Sequence, residues 1–310
     1  MRTVILGATG PIGTALSSEI KKIRSIDILQ LAARSYVNKT DGKIIYKKTN
    51  LLDAHETEEA VKGMTLAYLT VGLPYNHAVW ERDWPIIIKN VINACEKYNV
   101  KLVFFDNVYA YGLVNGTMTE ETPFRPISKK GQVRKLVDEM ILQAIAQKKL
   151  TAVIAKSADY YGPNAKASPF YIQNIENLLQ GKKPLWIGDP KMHHSFTYIP
   201  DAVQALIILG METRANNQIW HIPTAKPLTG NKYMELITKS MDKPLTYGTI
   251  NKLMLRFVGL INPAAGELVE MFYQNDHDYL FDSSKFEHAF TVTPTPYAIG
   301  IKKMTESFIK

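Results

Sequence analysis

Gly7, Gly10 and Gly13 follow one another at three-residue intervals in the stretch GATGPIG, directly behind the apolar run TVIL. A strand that ends in such a turn and feeds a helix is suited to one ligand class above others. Gly7 permits the tight turn, Gly10 lets the backbone approach a pyrophosphate, and Gly13 lets helix and strand pack closely. The free N–H groups at the helix start add partial positive charge toward the phosphates. Thr9 and Ile12 lie inside the same turn and are expected to line the dinucleotide with the glycines.

A second set of residues bears on proton chemistry. The stretch FFDNVYAYG carries Asn107, whose amide both donates and accepts hydrogen bonds, and Tyr109, whose phenol can exchange a proton. In an extended segment residues two apart face the same side, so Tyr109 is expected to accompany Asn107. Tyr109 reads equally as a proton donor or as a core aromatic. The stretch SKKGQVRKLVDE opens an amphipathic helix at Ser128, with Gly131 and Lys135 on one face. Glycine inside a helix costs about 1 kcal/mol relative to alanine, so Gly131 asks for an explanation.

These residues need a frame, and the first half of the chain supplies one. Short apolar runs (TVIL, DILQLAA, KIIYKKT, LAYLTVG, VKLVFFD, LTAVIAK) alternate with helical patterns, including a long one from about Asn76 to Tyr98. Asp53 and Glu56 have the spacing of a capping box. Strands alternating with helices predict a parallel sheet covered on both faces, with right-handed crossovers. After YYGP the rhythm breaks and Pro and Gly become denser, as a smaller mixed lobe would require. The reading is an α/β fold, a Rossmann-type doubly wound parallel sheet over 1–162 and a C-terminal substrate lobe over 163–310. A strand near 218–222 is expected to return to the sheet.

Composition narrows the partners. The chain of 310 residues is 46% hydrophobic and 21% charged, an ordinary globular balance. Its net charge of +8 is scattered rather than clustered, which argues against a nucleic-acid surface. No apolar run approaches the roughly 20 residues of a membrane span. The single Cys95 sits in an apolar helical stretch and suits a reducing, cytoplasmic setting as a buried thiol. His193 and His194 are adjacent and would point apart, so no metal is expected.

The G-x-x-G-x-x-G spacing, KKTNLLDAHETEEAVKG, FFDNVYAYG, IAKSADYYGP and HHSFTYIPDAVQAL occur in the order of a known family. Together they resemble the extended, epimerase/dehydratase-like branch of the short-chain dehydrogenase/reductase superfamily. The resemblance implies NAD(P)-dependent hydride transfer at a carbonyl or carbinol carbon of a small molecule such as a nucleotide sugar. It puts Asn50 where an adenine-contacting Asp is usual, followed by Leu51. Asn107 falls at the Ser/Thr position, and Lys135 with Glu139 matches the lysine that contacts the nicotinamide ribose. Gly131 then occupies the place of the usual catalytic tyrosine, which leaves Tyr109 as the substitute acid. His194 and Asp201 stand at the family's Arg and Asp positions, and Tyr160 precedes Gly162-Pro163 at the cleft end of a strand, where α/β sheets put ligands, so all three are expected at the substrate.

The second strand ends in LAARS, with Arg34 where an NAD-specific enzyme would carry an acid. Arg accommodates the additional phosphate of NADP, so NADP is the expected cofactor and NAD the alternative. A dinucleotide-binding sensor that has lost the chemistry is the rival reading. The protein is expected to act as a monomer or homodimer.

Overall fold

Runs of four to six mostly apolar residues become seven strands of one eight-stranded sheet, and an exposed three-residue strand completes it. In chain order the strands are β1 (Arg2–Leu6), β2 (Ile28–Ala33), β3 (Lys39–Asp41), β4 (Ile44–Lys48), β5 (Leu66–Leu69), β6 (Lys101–Asp106), β7 (Ala152–Lys156) and β8 (Gln218–His221). They lie side by side as β8-β7-β6-β5-β1-β2-β4-β3. The pairs from β7 to β4 are parallel, and β3 runs antiparallel against β4. Winding reverses at β1, which has β2 on one side and β5 on the other. This is the doubly wound Rossmann arrangement, and its ligand crevice opens at that reversal.

The computed structural model describes residues 1–166 and 168–309. The helices that matter here are α1 (Pro11–Ile20), α2 (Ala54–Val61), α3 (His77–Tyr98), α4 (Lys129–Ala146) and α5 (Ile199–Met211). Asp53 caps α2 by accepting from the Glu56 N–H at 2.8 Å. Glu56 does not complete a capping box: its carboxylate reaches past Asp53 and accepts from the Asn50 N–H at 2.7 Å. Asn76 caps α3, and Asn99 ends it in the left-handed conformation. α4 starts at Lys129, so Gly131 falls in its first turn, where the backbone N–H groups lack helical partners anyway.

Contacts divide the chain into two compact units, each drawn from three segments. The first comprises Met1–Ala110, Lys130–Lys156 and Ala202–Trp220; the second comprises Tyr111–Lys129, Ser157–Asp201 and His221–Lys310. The first unit is cored by Val4, Leu6, Leu69, Trp84, Ile88, Phe104, Val137 and Ile154. The second is built on short ladders, with Asp159–Tyr161 parallel to Phe196–Tyr198 and His193–His194 antiparallel to Leu228–Thr229. Its core is aromatic, with Tyr161, Phe170, Phe196, Tyr233 and Tyr297 in mutual ring contact.

Candidate active site

At the reversal point the turn after β1 meets the segment after β5. Gly7 has φ +94°, and a Cβ there would stand 2.6 Å from the Val71 backbone, so only glycine fits. A Cβ at Gly13 would collide with the Gly7 carbonyl, which is how α1 packs so close to β1. Gly10 differs, since its Cβ would come no nearer than 3.6 Å to anything in the protein. Nothing internal requires glycine at that position; an approaching ligand would. Gly10 is the N-cap of α1 with no side-chain cap, so the helix start keeps donors for an anion. The turn therefore fits a pyrophosphate, held by the Gly7–Gly13 backbone with Thr9 and Ile12 in the same turn.

Next to it the carboxyl ends of β2 and β4 run level, with Ala33 opposite Lys48. Arg34, the next residue, is exposed and close enough to Asp83 to help hold that carboxyl low, behind the main effect of its Arg82 hydrogen bond. Asn50 accepts from the Leu52 N–H through its own side chain, and Leu51 is buried with its carbonyl bonded to Asn90.

β6 ends on a buried ionic node. Asp106 takes a guanidinium N–H of Arg134 on one oxygen and the Lys156 ammonium on the other, the latter at 2.6 Å. Lys156 also donates to Asp138 at 2.6 Å and to the backbone carbonyl of Asn107 at 3.1 Å. Burial alone would push the Asp106 carboxyl up, but Arg134 and Lys156 together hold it below its ordinary value. Burial and the neighbouring Asp106 charge push Asp138 well above the usual carboxylate range. Asp138 Oδ1 has no hydrogen-bond partner among the described residues, which disfavours its charged form further. Arg134 lies 4.2 Å over the Trp84 ring and 5.1 Å over Phe104, replacing water with ring faces.

The node anchors the segment beyond β6. Past Asp106 the chain is no longer extended: Tyr109–Tyr111 form a 3-10 turn. Asn107 Oδ1 accepts from the Tyr109 N–H at 3.0 Å, which leaves its amide NH2 as the donor for a ligand. The Tyr109 ring stacks on Trp80 at 6.1 Å, and its hydroxyl lies 3.3 Å from that of Tyr75. Asn107 and Tyr109 are thus neighbours, through a turn rather than through strand alternation.

In the second unit His194 is buried, its Nε2 3.0 Å from Asp159 and its ring flat on Tyr279 at 4.3 Å. His193 points the other way, toward Asp278. Asp201 spends both oxygens on the Thr295 N–H and hydroxyl, each at 2.7 Å, a structural tie. Burial raises its carboxyl and the Tyr160 phenol above their ordinary values. Among the described residues no group of three or more His, Cys, Asp or Glu is placed to hold a metal, and no helix is long and apolar enough to cross a membrane.

Residues 3–222 match the model of the NAD dependent epimerase/dehydratase family. The chain belongs to this family. Among curated epimerase/dehydratase relatives, a UDP-N-acetyl-alpha-D-glucosaminuronate decarboxylase of Bacillus cytotoxicus is 25% identical over 240 residues, 71% of this chain and 74% of that protein. A dTDP-glucose 4,6-dehydratase of Mycolicibacterium smegmatis is 21% identical over 83% of this chain and 78% of its own length. A solved dTDP-glucose 4,6-dehydratase from Streptomyces venezuelae with NAD bound has the same fold, at TM-score 0.83 and 16% identity, covering 100% of this chain and 97% of that one. The UDP-glucose 4-epimerase of Thermus thermophilus, also complexed with NAD, superposes with TM-score 0.79 at 16% identity over 100% of this chain and 99% of that one.

Of the expected series Gly131, Lys135, Glu139, only Gly131 is buried in α4. Lys135 is half-exposed and pairs with the exposed Glu139 at 3.7 Å. The inward series stands one residue earlier: Lys130, Arg134 and Asp138, all buried. Sequence reasoning missed these three, together with Lys156, Asp106 and Tyr75. The signal was present in the spacing, because i, i+4, i+8 also runs through Lys130, but three charged residues do not read as an inward stripe.

Proposed function

We propose that the protein is an NAD(P)-dependent enzyme that moves hydride at a carbonyl or carbinol carbon of a small molecule, with nucleotide sugars the first class to test. Membership of the epimerase/dehydratase family and the nucleotide-sugar relatives support that reading. The dinucleotide supplies or accepts the hydride. The chain's own part is to grip pyrophosphate at Gly7, Gly10 and Gly13 and to meet the adenosine side with Asn50 and Leu51. Arg34 meets the 2′-phosphate of NADP, the cofactor proposed over NAD. Asn107 donates its amide N–H to the substrate oxygen, and the Tyr109 hydroxyl gives or takes the proton there. Tyr160 and His194 are further candidate substrate contacts.

The observation that carries the proposal is the turn at the end of β6, where Asn107 Oδ1 accepts from the Tyr109 backbone N–H and the Tyr109 hydroxyl lies 3.3 Å from that of Tyr75. The test is single-turnover hydride transfer with NADP(H) and NAD(H) across a panel of nucleotide sugars and simple carbonyl compounds. Tyr109→Phe should lower the rate by about 10² or more while cofactor affinity holds, the scale of a lost acid–base group. Full turnover in that variant rejects Tyr109 as the acid. Tight cofactor binding with no turnover of any panel member would favour the sensor reading.

A further inference from the structure

Two residues beside Tyr109 have no part in that chemistry. Tyr75, in the segment between β5 and α3, brings its hydroxyl to 3.3 Å from the Tyr109 hydroxyl. Lys130, in the first turn of α4 and fully buried, sets its ammonium 4.5 Å from the centre of the Tyr75 ring. Trp80 locks the arrangement. Its indole N–H donates to the Pro74 carbonyl at 2.9 Å, its edge meets Tyr75 at 5.7 Å, and its face stacks on Tyr109 at 6.1 Å. Both phenols are thus held by one rigid ring, and a long buried cation lies over Tyr75.

We propose that Tyr75 and Lys130 are further catalytic residues, forming with Tyr109 a two-phenol proton relay biased by a buried ammonium. The relay rests on the proposed hydride transfer. In the oxidising direction the carbinol C–H bond breaks and its electron pair leaves as hydride to the oxidised dinucleotide. The substrate O–H proton goes to the Tyr109 oxygen, which begins the step as phenolate hydrogen-bonded to Tyr75. Tyr75 then releases its own proton to solvent and takes the one from Tyr109, restoring the starting pair. The net yield is carbonyl, reduced dinucleotide and one proton in water; reduction runs the same path backward. The Lys130 charge stabilises the anion that the two oxygens share, as a cation near a phenol does generally. Tyr75, like Tyr109, is half-buried, so the pair has access to water that can take the proton.

Several charged and titratable groups sit on the elements around this pair: α4 contributes Lys130, Arg134 and the buried Asp138 on its inward face, β6 contributes Asp106, β7 contributes Lys156, and α3 contributes His77, Glu81, Arg82 and Asp83. Asp106 is already neutralised by Arg134 and Lys156. Arg134 adds a second cation, 5.7 Å from the Trp80 ring.

The first arm needs neither cofactor nor substrate. Tyrosinate ultraviolet absorbance is followed against pH in the free protein, with thermal melting to verify folding. The wild type should show an early-titrating phenol that Lys130→Met moves to higher pH, that Lys130→Arg largely restores, and that Tyr75→Phe or Tyr109→Phe removes. An identical titration in folded Lys130→Met overturns the proposal. In the second arm, Tyr75→Phe should lower single-turnover hydride transfer about tenfold or more without changing dinucleotide affinity by calorimetry. Unchanged turnover in Tyr75→Phe also overturns it. If no panel substrate reacts, the hydride reading fails while the absorbance arm still decides whether the phenols and Lys130 are coupled.

Discussion

The Lys156 ammonium lies 2.6 Å from the Asp106 carboxylate, and neither side chain meets solvent. Asp106 is the anion on which both Lys156 and Arg134 converge. Asp106→Asn would leave the buried Arg134 facing a neutral amide and Lys156 with Asp138 as its remaining carboxylate. The expected loss is about 3–5 kcal/mol of unfolding free energy, the scale for breaking a buried pair from one side. Urea denaturation near neutral pH measures it. A loss below about 1 kcal/mol would mean that the node does not depend on Asp106.

Asp138 should behave in the opposite way, because its carboxyl is raised where that of Asp106 is lowered. A lowered carboxyl contributes stability above the ordinary aspartate value of 3.8 and loses it as pH falls through the depressed value. A raised carboxyl contributes most below 3.8 and loses that contribution as pH rises through its elevated value. Asp138→Asn keeps the shape and cannot ionise. Relative to wild type it should therefore gain ground as pH rises from 3.8, read as the difference of urea midpoints across that rise.

The glycines of the first turn make a paired test. A Cβ at Gly10 would lie no nearer than 3.6 Å to the Gly7 carbonyl, so Gly10→Val is expected to stay folded and to lose dinucleotide affinity by about tenfold or more. Gly13→Ala meets the Gly7 carbonyl and should lower the melting temperature itself. Calorimetry and thermal scans separate the two effects. Unchanged affinity in folded Gly10→Val would remove the basis of the pyrophosphate assignment.

Arg34 is exposed at the end of β2, with no internal packing role to lose. Arg34→Ala should weaken NADPH binding by about 1–3 kcal/mol, the scale of hydrogen bonds to charged groups, and leave NADH nearly untouched. Equal losses for both, or a wild type that prefers NADH, would reassign the cofactor to NAD.

Cys95 is fully buried on α3, and burial pushes its thiol up to about 12. Since the thiolate is the reactive species, native protein at pH 8 should resist alkylation until it is unfolded. Rapid labelling of folded protein would show that α3 opens locally.

Much of this was legible in the chain itself, for identifiable reasons. Apolar runs between helical patterns announced the sheet, and glycine spacing after TVIL announced the crevice, because both depend on local geometry. The buried face of α4 was not legible. Gly131, Lys135, Glu139 and Lys130, Arg134, Asp138 have the same spacing, and only Asp106 and Lys156, distant in sequence, make the second series the inward one. Tyr75 was missed because a loop brings it to Tyr109 across 34 residues. Asn107 and Tyr109 were paired through strand alternation, yet it is a turn that brings them together.

The sheet's last strand is also the last to be synthesised. β8 lies against β7 at the end of the row, and its residues come after β7 by some sixty positions of chain that belong mostly to the other unit. On a ribosome, β7 emerges with one flank open and stays so until Gln218–His221 are released. A nascent chain halted after Lys156 would offer that flank to any passing strand. The nucleotide-binding half is therefore no portable cassette: a fragment cut from it would carry an unfinished edge, and protection of that edge during translation falls to chaperones or to speed.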